Sequence, residues 1–161
     1  MNRLLAFYYG SHPDDYGRML SEMLKQDDHW LEVCHNYIQW LFPTTEFSRV
    51  TPGAPVLDKA TIETFKSDEL LQNHLRAAFI RILGFYGLRL TPAAVLKGPN
   101  WEARKANWFT QNTHNSLRIT RILTHPTTPN LVFATAFSGF FLSNDGGATW
   151  SKPSAVASYD V

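Results

Sequence analysis

Cys34 is the only cysteine among the 161 residues, so the chain has no internal disulfide to close and no second thiol to build a cysteine-rich metal pattern. Long hydrophobic runs are missing too. Stretches such as AAF and GFFL fall far below the ~20 apolar residues that cross a bilayer, so the sequence predicts no membrane span and leaves only peripheral association. Neither sign of charge dominates, and a formal net charge of +1 excludes any global argument for nucleic acid or acidic partners. No basic-then-apolar leader with a small-residue cleavage site opens the chain, and the cytoplasm is the expected location. There is no Gly-rich loop ahead of a Lys-Ser/Thr pair and no GxSxG elbow, which removes the two commonest signatures of phosphate cradling and serine nucleophiles.

What is present begins with length. A chain of 161 residues buries ~70% of the surface its unfolded form exposes, enough for one real core with an appendage. The small net charge hides an asymmetry: residues 1–70 carry 6 Lys+Arg against 11 Asp+Glu, whereas residues 71–125 carry 8 against 1. Two readings follow. The halves are oppositely charged solvated faces, or the basic half is an anion- or nucleic-acid-binding face built from Arg76, Arg81, Arg104, Lys105, Arg118 and Arg121, with Trp101 or Trp108 exposed to stack on bases.

Apolar spacing gives a mainly α fold, a compact multi-helix domain of about five to six helices with ordered loops. After an extended lead-in, LLAFYYGSHP, a helix is expected to start at Pro13–Asp15 and bury a stripe of Tyr16, Met19, Leu20, Met23 and Leu24. Asp27 or Asp28 caps a second helix running to Pro43, which would put His35 and Gln39 on one face. Residues 43–60 read as a loop, and Thr61 as the opening of a short helical turn. The helix through DELLQNHLRAAFIRILGFYG carries the widest apolar face and ends on Gly87 as a left-handed cap. LRLTPAAVLKGPN reads as a loop. WEARKANWFTQ and HNSLRITRIL follow as short helices with Trp101, Trp108, Leu117 and Ile122 turned inward. From about Thr124 the texture becomes β-prone, and a hairpin is expected with strands near Leu131–Ala136 and Gly139–Leu142. Its aromatic face would dock on the helices or bury in a dimer. The domain boundary thus falls between 1–123 and 124–161.

Six histidines raise a metal hypothesis, but His29 and His35 are not four apart on a helix and no second cysteine joins Cys34; neither a metal nor a cofactor is expected. On a helix Cys34 and His35 diverge by about 100° and cannot act as nucleophile and base together, so no catalytic residue is assigned and no enzyme is expected. The polar residues that stand out lie in CHNYIQWLFP and THNSLR: His35, Asn36, Gln39 and Trp40, then His114, Asn115 and Arg118. Beside apolar helical runs such groups either clamp loop backbone to helix or contact a ligand, since a buried polar group without a partner costs ~1–3 kcal/mol.

The runs FYYGSHPDDYGRMLSEML, LEVCHNYIQWLFP, FKSDELLQNHLRAAFIRILGFYGL and THNSLRITRIL, in that order over residues 7 to about 123, resemble the conserved amino-terminal domain of the opioid growth factor receptor family. The resemblance implies an all-helical, non-catalytic binding or scaffold domain with a protein or peptide partner. For the family's animal member it implies a receptor for a Met-enkephalin peptide, associated with membranes and the nuclear envelope. The carboxyl end resembles something else. SNDGGATW is similar to the Asp-box of sialidase- and sortilin-type propellers at Ser143, Asp145, Gly147, Thr149 and Trp150, which implies a structural turn and no chemistry.

Overall fold

The computed structural model describes residues 2–48, 51–91, 95–110, 113–123, 125, 132–136 and 139–143. Eight α-helices lie among them: α1 (Arg3–Tyr8), α2 (Leu20–Met23), α3 (Asp28–Val33), α4 (Ile38–Leu41), α5 (Lys59–Ser67), α6 (Glu69–Phe85), α7 (Trp101–Arg104) and α8 (His114–Leu123). Two antiparallel hairpins accompany them, β1 (Leu88–Leu90) with β2 (Val95–Lys97), and β3 (Val132–Ala136) with β4 (Gly139–Ser143). The fold is therefore mainly helical with small hairpins. It divides into two units, one reaching to Arg81 and including His125, the other starting at Ile82; α6 supplies residues to both.

In the first unit the opening is helical, not extended. Asn2 Oδ1 accepts from the Leu4 amide (2.9 Å), and the same side chain donates to Thr61 Oγ1 (2.8 Å) on α5. Leu4, Phe7 and Tyr8 then fall at three-and-four spacing and are fully buried. Their rings meet the core edge-on, Phe7 against Trp40 (5.1 Å) and Tyr8 against Phe65 (4.8 Å). Tyr8 also donates its hydroxyl to the Leu41 carbonyl, and its burial pushes the phenol pKa up.

The helix expected from Pro13 shrinks to α2. The reason is local: Asp14 Oδ1 takes the amides of Tyr16 (2.9 Å) and Arg18 (2.8 Å), and Gly17 adopts φ 76°, so residues 14–18 close a turn instead of a helix. Tyr16 is consequently 56% exposed, not part of a buried stripe. The next expected helix is also two. Asp27 caps α3 through the Trp30 amide (2.7 Å), but Cys34 is extended (ψ 126°) and α4 begins only at Ile38. His35 is exposed in that break while Gln39 is buried in α4, so the two do not share a helical face.

Asp58, not Thr61, starts α5, accepting from the Thr61 amide (2.7 Å). Asp68 accepts from the Leu71 amide (3.1 Å) at the start of α6 and from Tyr9 Oη (2.6 Å). These hydrogen bonds lower the pKa of both carboxyls, with Thr61 the main cause for Asp58 and Tyr9 for Asp68. Because the folded pKa values are depressed, the stability they contribute is complete above the unfolded aspartate value of ~3.9 and is lost as pH falls through the folded values. Acid titration of thermal stability should therefore show a decline starting near pH 4. An Asp58→Asn, Asp68→Asn double variant should show a shallower one, and an unchanged slope would contradict the capping account.

The second unit is built on the end of α6. Carbonyls at the end of α6 and just after it accept from side chains of residues 100–108: Asn100 Nδ2 donates to Gly84 O (2.9 Å), Arg104 Nε to Phe85 O (2.8 Å) and Trp108 Nε1 to Tyr86 O (2.9 Å). Gly87 has φ 78°, the left-handed cap expected there. The segment read as a loop pairs as β1–β2, with Arg89 opposite Leu96. Trp101, Trp108 and Phe109 pack edge to edge at 5.5–5.9 Å. On α8, Ile122 is buried, but Leu117 is 72% exposed and not turned inward. The β3–β4 hairpin expected near the carboxyl end is present, in register from Val132↔Ser143 to Ala136↔Gly139.

Candidate ligand-binding cleft

The sequence-singled polar residues separate into three environments. Asn36 belongs to a closed network. Arg18, held to the buried Asp14 carboxylate through Nε (2.8 Å) and Nη2 (2.5 Å), donates from Nη1 to Asn36 Oδ1 (2.9 Å) and Cys34 Sγ (3.3 Å), while the Cys34 thiol donates to Asn36 Oδ1 (3.1 Å). The Tyr16 and Trp30 rings flank the guanidinium at 4.8 and 5.4 Å. The network ties the turn of residues 14–18 to the break between α3 and α4.

Asn115 forms the second environment, in the other unit. It is fully buried; its Oδ1 accepts from Tyr86 Oη (3.3 Å) and Arg118 Nη1 (3.1 Å), and its Nδ2 donates to Asn107 O (3.0 Å). His114 beside it is exposed.

Most of the basic residues are engaged within their own unit. Arg81 donates to Gln26 O (2.7 Å) and Asp28 (2.8 Å), Lys105 pairs with Glu102 (2.5 Å), and Arg104 lies over the Phe85 ring at 4.7 Å. Arg118 is buried on Asn115, burial lowers the pKa of Arg121, and Arg76 is exposed on α6 in the first unit. Trp101 and Trp108 are 7% and 6% exposed, so neither presents a ring to stack on bases. Charge had marked these positions in sequence; packing has used most of them. Of the Asp-box positions, Ser143 ends β4, and Asp145, Gly147, Thr149 and Trp150 lie outside the described residues.

Gln39 and Trp40 make the third environment. Both are buried, and neither Gln39 Oε1 nor Trp40 Nε1 has a hydrogen-bond partner among the described residues. Trp40 lines an open cleft of about 480 Å³ together with Arg3, Ala6, His12, Pro13 and Asp15. Local structure positions each member: α1 presents Arg3 and Ala6 one turn apart, Gly10 (φ 72°) turns the chain, and residues 12–15 return beside the helix. Ala6, Pro13 and Trp40 form the apolar part. Arg3 and Asp15 form the charged edge, Arg3 Nη2 lying 2.8 and 2.6 Å from the two carboxylate oxygens and 3.0 Å from Gly53 O. The Arg3 guanidinium also lies over the Trp40 ring at 5.0 Å. Sequence reasoning named Trp40 but missed Arg3, His12 and Asp15, because it read residues 4–13 as extended; the Leu4–Phe7–Tyr8 spacing was the available signal. Among the described residues no three His, Cys, Asp or Glu side chains converge on a common point that would hold a metal ion. None of their helices is long and apolar enough to cross a membrane.

A small, mostly helical domain with a partly apolar cleft is the setting for comparison with known proteins. Residues 3–146 match the family described as the opioid growth factor receptor (OGFr) conserved region, and the chain belongs to that family. Human opioid growth factor receptor is 43% identical over 98 residues, covering 58% of this chain and 14% of the relative. The rat receptor is 38% identical over 113 residues (66% and 19%), and mouse opioid growth factor receptor-like protein 1 is 35% identical over 125 residues (74% and 26%). The chain thus spans 14–26% of the length of these relatives. No solved structure matches it. The family match starts earlier and ends later than the resemblance seen in sequence, and takes in both strands of β3–β4. Nothing in the comparisons supports the propeller-type reading of the carboxyl end.

Proposed function

We propose that this chain is a non-catalytic binding domain that takes a short peptide in the cleft lined by Arg3, Ala6, His12, Pro13, Asp15 and Trp40. The cleft itself carries this reading. Its volume of about 480 Å³ falls in the ~300–1,000 Å³ range of ligand pockets, and it sets an apolar wall beside a charged edge, the combination that orients a small polar-ended ligand. The human and rat relatives are named opioid growth factor receptors, which makes that peptide the first ligand to try. The residues singled out in the two His-Asn pairs serve a different end, since Asn36 and Asn115 spend their side chains on internal hydrogen bonds. A calorimetric titration with the Met-enkephalin peptide is expected to show one-site binding that Arg3→Glu weakens at least tenfold, a charge-assisted contact being worth about that much. Arg3 is on the surface, so the variant should keep the wild-type circular dichroism spectrum. Absence of peptide binding by the wild-type domain overturns the reading.

A further inference from the structure

Resting on that peptide-binding reading, we infer that the cleft recognises the terminal carboxylate of its peptide, with Arg3 as the anchoring cation and Asp15 as a resident competitor for it. The hydrogen-bond inventory points this way. Arg3 uses Nη2 alone for three acceptors, the two Asp15 oxygens and Gly53 O, and among the described residues no acceptor engages its Nε or Nη1. His12 has one ring nitrogen beside Ser11 Oγ (3.3 Å) and, among the described residues, no hydrogen-bond partner on the other. Trp40 contributes its ring, which lies under the Arg3 guanidinium at 5.0 Å, and not its buried Nε1. The cleft therefore carries more donors than acceptors, and its one carboxylate is already on the arginine. A group that only accepts hydrogen bonds and carries negative charge completes such a site, and a carboxylate does so with the geometry that guanidinium favours.

The Arg3–Asp15 pair is built to be exchanged. Its side chains are 54% and 45% exposed, and ion pairs this open are weak, so an incoming carboxylate can take Arg3 from Asp15 at small cost. Ala6, Pro13 and Trp40 then face the side chain of the peptide's last residue, which selects an apolar one. This separates a peptide end from inorganic phosphate, which would meet the donors but leave the apolar wall uncovered.

The test is nitrogen-15 NMR of the whole chain titrated with N-acetyl-phenylalanine, with the corresponding N-acetyl-phenylalanine amide, and with inorganic phosphate. The acid should shift the Arg3, Ala6 and Asp15 amides and the Trp40 indole N–H at millimolar concentration. The amide and phosphate should bind about tenfold more weakly or not at all. Arg3→Gln should abolish the preference for the acid, and Asp15→Asn, by removing the competitor, should tighten the acid severalfold, an effect that a purely structural role for Asp15 would not produce. Equal binding of acid and amide, equal binding of phosphate, weaker binding to Asp15→Asn, or no shift with the acid would each overturn the assignment. Should Met-enkephalin bind while acid and amide behave alike, the carboxylate assignment falls and the peptide-binding reading stands; should Met-enkephalin not bind, that reading falls by itself.

Discussion

Replacing Asp14 by alanine should cost about 3 kcal/mol and lower the melting temperature by roughly 6–12 °C, the scale expected when one member of a buried ion pair is removed from a chain of this size. Asp14 has no exposed side-chain surface, and its two oxygens serve the Arg18 guanidinium and the amides of Tyr16 and Arg18. Alanine would leave those donors facing the Trp30 and Tyr16 rings with no carboxylate, and the turn that Gly17 permits would lose its closing bonds. The exposed pair Arg3–Asp15 provides the contrast: Arg3→Gln should change stability by no more than about 1 kcal/mol. Thermal melts followed by circular dichroism decide it. An Asp14→Ala protein melting within 2 °C of wild type would show that the network is not what fixes the turn.

The second large effect lies in the other unit. Gly87 has φ 78°, and a Cβ added there would come within 2.8 Å of Trp101 Cα and 3.1 Å of Arg104 Cβ. Left-handed backbone costs an alanine about 1–2 kcal/mol, and moving α7 away costs a further 1–3 kcal/mol or so, because what it meets is backbone and cannot rotate aside. Gly87→Ala should thus lose about 2–5 kcal/mol. It should also loosen the caps that Asn100 and Arg104 place on the end of α6. Gly10 makes the control, since it too is left-handed (φ 72°) but has nothing within 4 Å; Gly10→Ala should show only the backbone part of the cost. Equal losses for the two variants would contradict the close approach of α7 to Gly87.

These two positions also show where sequence reasoning reached and where it stopped. Gly87 was legible because α6 has a long apolar period and ends on the residue that left-handed geometry demands. The hairpin at 132–143 was legible from β-prone residues flanking Gly139. Asp14 was not. Read alone, Pro13 followed by two carboxylates is a good helix start, and only the side chain's choice of the Tyr16 and Arg18 amides turns it into a closed turn. In the same way CHNYIQWLFP has a continuous helical period, yet Asn36 reaches back to Arg18, eighteen residues earlier, and the helix breaks at Cys34. Long-range hydrogen bonds of this kind leave no trace in local periodicity. The cleft was half-legible for that reason: Trp40 stood out as a polar-edged aromatic in an apolar run, whereas Arg3, His12 and Asp15 converge on it only because α1 is a helix that turns back at Gly10. Charge counting marked the basic half instead, although its arginines mostly serve Asp28, Phe85 and Asn115.

The most direct measurement is photo-crosslinking of the domain with a Met-enkephalin analogue carrying a photoreactive group near its carboxyl end, followed by mass-spectrometric mapping of the adducts. Crosslinks confined to residues 3–15 and Trp40, suppressed by excess unlabelled peptide, are the predicted result. Competable crosslinks on α8 or around Arg104–Lys105 would place the binding surface in the basic half and contradict the account.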